Sequence, residues 1–589
     1  MNNILPSKPC FIARLVKYLK GNDNSVYAVC TETGTGHFID PIAADVLHYL
    51  EYPMSAVELE EELAADGWER SGLSELPGIL QDLQASGLVT DPYSLAVDSE
   101  KPDVYRVFSL DFFAVPTKNR PEALERCLKS WAGLFSASSH SPAILISDAS
   151  DARKTEISDV VKDFAGTASI PVYLITDELK KQMISLLPEH IQETARFALG
   201  EEDLPGLQDQ RYGANRNFIH LITQGRSTAL ADDDILPEFI QANSCLHGIG
   251  VSSFPDPSLI TAVPDYSVFQ KTAEKTGGTE YFEALSIAGK KYKELEDIFD
   301  ELDITDACYK DLVRMGKNKT EVSALCFLHW GDCGMGNASY LLQKRSDLTA
   351  DIISEEVYEK MMKHRLVLRA PRRTTIGGKL IMGGHCVFSG NAKLPPFSPY
   401  GRNDDVLFGT TMDLLHPDQI IGYPNISILH KPFTPKPSTR DKAIQSKFNA
   451  NELIRLVLLY LSGRNNFEEN YQLIGSALVQ FAEKSRAESR QVLALLVSQM
   501  LLERQKEMHE ELDYFHEKPD YWAEDVYAAI QWIQGHLVKQ KYWLPVEFTN
   551  REDAFFQYCR NYGSLLMYWP ELLERVKDLA PDFLAKARL

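Results

Sequence analysis

The spacing of hydrophobic positions changes character along the chain, and the changes divide it into three parts. Short apolar pieces at residues 11–15 and 26–30 predict strands. Helical spacing follows, with Ile42, Val46, Leu47 and Leu50 on one face behind Pro41. Ser55 with Glu58 predicts a capping box for a second helix that carries Val57, Leu59 and Leu63. A third helix carries Leu76, Ile79, Leu80 and Leu83, and stops at Gly87 before Leu88 and Val89. Residues 1–95 thus have the pattern of a small winged-helix-like unit. Its second helix is acidic, which argues against DNA binding. Polar, proline-containing residues 91–104 are expected to form a linker.

From about residue 105, strands and helices alternate. Residues 107–115 predict a strand, and Pro121 opens a helix carrying Leu124, Cys127, Leu128 and Trp131. Residues 143–146 form a continuous apolar strand ending at Ser147 and Asp148, and residues 171–175 predict a third. This alternation predicts a parallel sheet covered by helices, with ligands at the carboxyl ends of the strands. Pro116, Thr117, Asp148 and Asp232 to Asp234 all fall at such ends. Residues 245–370 are expected to be a helix-rich insertion over the acceptor side, with helices at 292–302 and 355–362. Beyond 440 the pattern is helical. Leu453, Leu456, Val457, Tyr460 and Leu461 share one face, and Leu473, Ala477, Leu478 and Phe481 share another. This predicts a helical interaction domain over 440–589, with a homodimer through its helices as one use.

Composition narrows the classes. A chain of 589 residues needs several cores. The net charge of -22 excludes a broad nucleic-acid footprint and leaves only local basic stretches at 369–373 and 431–436. No apolar run approaches 18 residues, so no membrane span is expected. The N-terminal residues carry no export pattern. The nine cysteines are scattered, so reduced thiols in the cytoplasm are the expectation. Cys326, His329, Cys333, His385 and Cys386 match no common zinc spacing, and buried thiols are the simpler account.

The candidate chemistry centres on three consecutive carboxylates, Asp232, Asp233 and Asp234. They repel one another and do not suit a dry core. At the tip of an apolar strand they suit a hard divalent cation that bridges to a diphosphate. The plain alternative is a solvated acidic turn that caps a helix. Asp404 and Asp405 precede an apolar helix start, which fits a general base or, again, a helix cap. His430 ends a strand and is either structural or a metal ligand.

In order, four stretches resemble the family 2, GT-A fold glycosyltransferases. They are Ala114-Val115-Pro116-Thr117-Lys118-Asn119-Arg120, Ile144-Leu145-Ile146-Ser147-Asp148, Gly213-Ala214-Asn215-Arg216-Asn217, and Asp232-Asp233-Asp234 followed by Ile235-Leu236-Pro237. Gly383-Gly384-His385 through Asn403-Asp404-Asp405 resembles that family's segment ending in catalytic carboxylates. The resemblance implies a nucleotide-diphosphate sugar donor, a UDP-sugar first. Pro116, Thr117, Arg120, Asp148, Asn215, Arg216 and Asp233 would surround it. It implies Mn²⁺ or Mg²⁺ at Asp232, Asp234 and His430. Asp405, or less readily Asp404, would be the base of an inverting transfer. Gly334-Met335-Gly336-Asn337 lines a pocket or is a plain turn.

The stretch from His37-Phe38-Ile39-Asp40 to Ser86-Gly87-Leu88-Val89 resembles the PqqD-like family, which captures leader peptides of ribosomally made, modified peptides. The expected protein is therefore multidomain α/β. It has a PqqD-like winged-helix unit at 1–95, a GT-A core at 105–435 and an all-α domain at 440–589. The implied acceptor is a Ser, Thr or Cys side chain of a peptide or protein. The alternatives are transfer to a surface polysaccharide or glycolipid, and a non-catalytic scaffold with a GT-A shell.

Overall fold

The computed structural model describes residues 10–20, 26–68, 70–96, 108–138, 140–202, 204, 206–207, 210–296, 298–299, 301–316, 320–332, 338–342, 354–434, 437–445, 447–514, 518–539 and 544–589. Val107, residues 97–104 of the expected linker, Cys333, residues 334–337 and residues 435–436 of the basic stretch lie outside these residues.

The fold is mixed α/β, with two large mixed sheets and a helical C-terminal region. The larger sheet has ten strands in the order Leu302–Asp306, Ile249–Ser252, Thr374–Ile376, Gln419–Tyr423, Glu321–Cys326, His385–Phe388, Thr228–Ala231, Phe112–Thr117, Ala143–Asp148 and Val172–Ile175. The last four run parallel, with Thr117 level with Asp148. His385–Phe388 runs antiparallel to Thr228–Ala231.

Period-two alternation sorts these strands onto two cores. Phe113, Val115, Ile144, Ile146, Ala229 and Ala231 pack toward Trp131 and Phe135 of the helix Pro121–Ser136. Ala114, Leu145 and Leu230 face the opposite core, which includes Phe218 and Ile219 of the helix Tyr212–Thr223. Both faces are covered, so the strands read as unbroken apolar runs. Trp131 is fully buried and donates its indole N–H to the Ile235 carbonyl at 3.1 Å, pinning the strand that follows the three aspartates.

The segment 245–370 is not a helical insertion. It supplies Ile249–Ser252, Leu302–Asp306 and Glu321–Cys326 to the larger sheet. It also supplies Leu259–Ala262, Ala273–Thr276, Leu328–Asp332 and Leu366–Ala370 to a six-stranded sheet, which Ile426–His430 and Ile235–Ala242 complete. The helix expected at 292–302 is only Tyr292–Glu296. Runs of four to six residues are too short for periodicity to separate strand from helix.

The C-terminal helices do not form a separate body. The last, Glu552–Ala587, packs on the helices Tyr212–Thr223 and Glu189–Ala198, and its apolar side joins the core beneath the sheet. Tyr558 donates its hydroxyl to the Tyr400 carbonyl at 2.6 Å, and the Leu589 amide bonds the Val172 carbonyl at 3.0 Å. Among the described residues, no helix is long and apolar enough to cross a membrane.

The N-terminal unit has the expected helices and its capping box, with the Ser55 amide 2.7 Å from Glu58 Oε2. Its strands form two three-stranded sheets, one of them the meander Val16–Lys20, Val26–Cys30 and Gly36–Ile39. The expected linker begins as a helix, Pro92–Ala96, whose Tyr93 and Leu95 dock on the α/β core. Tyr52 stacks on Phe254 at 5.3 Å, and Arg14 reaches the Tyr309 hydroxyl at 3.3 Å. The stretch 369–373 is no surface patch either. Arg369 and Arg373 are buried in ion pairs with Asp256, Glu301 and Asp303.

His385, one residue of the cysteine–histidine stretch, is committed to the fold. Its Nδ1–H donates to the Leu230 carbonyl at 2.8 Å, and Nε2 accepts from the Tyr281 hydroxyl at 3.1 Å. Burial holds its pKa down at about 4. The fold therefore favours the neutral ring. That stabilisation is complete above the unfolded value of about 6.5 and is lost as pH falls toward 4. Thermal unfolding of His385→Gln should show a destabilisation at pH 7 that shrinks by on the order of 1 kcal/mol per pH unit below about 6.5. A cost that stays constant with pH would count against a neutral His385.

Candidate functional site

The three aspartates sit where the strand Thr228–Ala231 turns directly into the strand Ile235–Ala242. The Ile235 amide bonds the Asp232 carbonyl at 3.0 Å and closes the turn, while the Asp232 amide bonds the Gly384 carbonyl at 2.9 Å. No helix follows, so a helix-capping role is excluded. Nor is the turn fully solvated: Asp233 is fully buried and Asp234 is 6% exposed, while Asp232 is partly exposed.

Three cations hold this charge. The guanidinium of Arg120 lies 2.9 Å from both Asp233 Oδ1 and Asp234 Oδ2. Thr117 donates its hydroxyl to Asp233 Oδ2 at 2.6 Å. Arg216 bridges Asp232 at 2.9 Å and Asp404 at 2.7 Å, and also donates to the Gly383 carbonyl at 3.1 Å. A Cβ at Gly383 would stand 2.6 Å from the Arg216 guanidinium, so only glycine permits this approach. His430 faces Asp234 Oδ1 through Nε2 at 3.2 Å, while its Nδ1–H donates to the Asp332 carbonyl.

The titrations follow from this placement. Burial pushes Asp233 up to about 7, against the pull of Arg120. Burial raises Asp232 despite Arg216, and raises Asp404 to about 6 despite the same guanidinium. Asp234 goes the other way: burial is outweighed by His430 and Arg120, and its carboxyl is held well below the usual range. Burial works against a charged His430, but Asp234 lifts it to about 9. Asp234 and His430 are thus an ion pair at neutral pH.

The second acidic pair approaches from the helix Asp404–Leu415, which starts after Asn403 in the left-handed region at φ 61°. That turn separates the two carboxylates. Asp404 points inward to Arg216 and is 4% exposed. Asp405 is half-buried, and its Oδ2 accepts from the Gly383 amide at 2.8 Å. Asn403 makes no side-chain capping bond, and neither carboxylate replaces it as the cap residue.

On the neighbouring strand ends, Asp148 is buried and accepts from the Ser150 amide at 2.8 Å. Burial raises its pKa, with Ser150 and Lys180 opposing. Asn215 is committed to the protein. Its Oδ1 accepts from Lys180 at 2.7 Å and Ser147 at 3.1 Å, and its Nδ2 donates to the Ser147 carbonyl at 3.2 Å. It joins two strands to a helix instead of projecting into a ligand space, and Thr117 likewise spends its hydroxyl on Asp233. Pro116 precedes Thr117 on the same strand end and is half-buried.

Two positioning groups lie outside the sequence-derived set. Lys180 is buried and ties the Asp148 carbonyl, Asn215 and Asp177 together. Its one signal is spacing, because it shares a helix face with Met183 and Ile184. Asn119 links the turn after Phe112–Thr117 to the loop after Ala143–Asp148, with its Oδ1 accepting from the Asp151, Ala152 and Arg153 amides at 3.1–3.2 Å.

For a divalent cation, Asp234 and His430 offer a carboxylate and an imidazole whose far nitrogen is already fixed, the arrangement that orients metal-binding histidines. Asp232 is turned to Arg216 instead, and no group of three or more such side chains is assembled among the described residues. No protein-family model matches the chain, and no curated protein matches it.

Proposed function

We propose that the chain is a GT-A glycosyltransferase of the inverting, metal-dependent kind, using a nucleotide-diphosphate sugar. One observation carries this reading. Four parallel strands bring Thr117, Asp148 and Asp232 to Asp234 to one carboxyl edge, and Arg216 ties that edge to Asp404 beside Asp405. A carboxyl edge of parallel strands is where open α/β sheets take nucleotides. Asp148 binds the base or ribose of the donor. Arg120 binds its phosphates, exchanging Asp233 and Asp234 for them. A Mn²⁺ or Mg²⁺ held by Asp234 and His430, with Asp232 beside them, would offset charge on the departing diphosphate. Asp405 takes the proton from the acceptor. Asn215, Thr117 and Arg216 hold these groups in place.

The acceptor is a peptide side chain delivered by the N-terminal PqqD-like unit. Support comes from the strand Val16–Lys20, which pairs only with Val26–Cys30 among the described strands and so offers an open edge. Leu15, Tyr18 and Leu19 are exposed on or next to it, and Phe38 is exposed across the sheet on the strand Gly36–Ile39. An open edge with apolar side chains suits strand addition by a peptide.

Calorimetric titration of UDP and the other nucleoside diphosphates, with Mn²⁺ present, tests the donor site. One nucleotide should bind, and Asp148→Ala should weaken it by about tenfold or more, the loss of one or two hydrogen bonds. Failure of every nucleotide to bind would overturn the reading. Tyr18→Asp with Phe38→Ala should then lower transfer to a leader-bearing precursor while leaving nucleotide binding unchanged. Transfer unaffected by these changes would remove the peptide-capture part alone.

A further inference from the structure

At the other end of the strands lies a cavity of about 350 Å³, in the seam between the sheet and the C-terminal helices. Thr228, which begins the strand that ends at the three aspartates, lines it together with Phe388 and Leu394. Tyr471, Pro570 and Leu573 close it from the helical side. Its volume is in the range of small-molecule sites, roughly 300–1,000 Å³.

Two histidines line this cavity. His220 is 4% exposed, and neither of its ring nitrogens has a hydrogen-bond partner among the described residues. Phe388 stands edge-on to its ring at 5.0 Å, and Phe397 lies at 5.2 Å. His416 is 3% exposed; its Nε2 meets the Tyr471 hydroxyl at 2.9 Å, while its Nδ1 has no partner among those residues. An unsatisfied buried polar group costs about 1–3 kcal/mol, so three such nitrogens in one cavity are a standing cost that a ligand relieves.

Both rings are neutral. Burial, reinforced by Arg216, lowers His220 to about 3, and burial, reinforced by Lys393, lowers His416 to about 4. The fixed charges near the mouth are mixed. Lys393 pairs with Glu469 at 2.5 Å, Asp418 acts on His416, and Arg226 is exposed. A carboxylate would therefore find no surplus of positive charge.

We infer that the seam cavity is a binding site for a small, uncharged, largely apolar molecule carrying one hydroxyl, with His220 and His416 as its polar anchors. The hydroxyl donates to or accepts from an imidazole nitrogen, and the apolar body fills the space between Phe388, Leu394 and Leu573. The site lies at the opposite end of the strand Thr228–Ala231 from the acidic edge, one helical turn from Arg216, and does not depend on the glycosyltransferase reading.

Calorimetry on the full chain with p-cresol, toluene and benzoate tests it. p-Cresol should bind saturably at one site, more tightly than benzoate. His220→Phe, which keeps a ring in the aromatic cluster, should weaken p-cresol by about tenfold, the worth of one hydrogen bond, and leave toluene unchanged. Leu573→Trp and, separately, Ala392→Phe should abolish saturable binding by filling the space. Lack of saturable p-cresol binding by the wild type, tighter binding of benzoate, or wild-type binding by both filled variants would each overturn the inference.

Discussion

Arg216→Ala should destabilise the chain by about 3–5 kcal/mol, the range for removing one member of a buried ionic group. Arg216 is 6% exposed and bridges Asp232 and Asp404, which burial already pushes toward protonation. Without the guanidinium the buried Asp404 loses the charge that offsets its burial, and the partly exposed Asp232 keeps only the weaker pull of Arg120 and His430. They must protonate or draw in water, and either response loosens the link between the aspartate turn and the helix Asp404–Leu415. Arg216→Lys should fall short of rescue, because an ammonium cannot span two carboxylates and the Gly383 carbonyl with a planar fork. Asp404→Leu in the Arg216→Ala background should recover part of the loss, with a coupling of about 0.5–3 kcal/mol in a double-mutant cycle. Thermal and denaturant unfolding supply the numbers. A loss below about 1 kcal/mol for Arg216→Ala would mean that the bridge is solvated and carries little energy.

The parts of this site that were legible from sequence are those with local signatures. The strands around Phe113, Ile144 and Ala229 are unbroken apolar runs because helices cover both faces, and their ends placed Thr117, Asp148 and Asp232 on one edge in advance. The capping box of Ser55 and Glu58 was equally local. What could not be read was pairing. Asp234 with His430, and Arg216 with Asp404, join positions almost two hundred residues apart, and nothing local sets their geometry. The same limit explains the segment 245–370. Its strands of four to six residues are decided by their partners in the two sheets and not by their own periodicity. Asn215 was legible as an important position but not as a protein-facing one, since that depends on Lys180 arriving from another helix.

Under the proposed glycosyltransferase function, Asp405→Asn should reduce transfer by about 10²–10⁴-fold in kcat, the usual worth of a positioned general base. Nucleotide binding should remain near wild type, and unfolding should shift by only about 1 kcal/mol, the worth of one hydrogen bond. The contrast with Asp404 is what makes the prediction specific. The two carboxylates are adjacent, yet the turn at Asn403 sends Asp404 into the Arg216 bridge and leaves Asp405 half-buried against the Gly383 amide. Asparagine at 405 keeps one oxygen, for either the Gly383 amide or the Val406 amide, and turns its NH2 toward the other, so one of these two hydrogen bonds is lost. It cannot accept the acceptor's proton. Asparagine at 404 removes a charge from Arg216 and should register first as lower stability, with any loss of transfer following from the displaced bridge. If Asp405→Asn retained transfer while Asp404→Asn abolished it without destabilising the chain, the roles assigned to the pair would be reversed. Asp404, raised by burial to about 6, would then be the group that takes the proton.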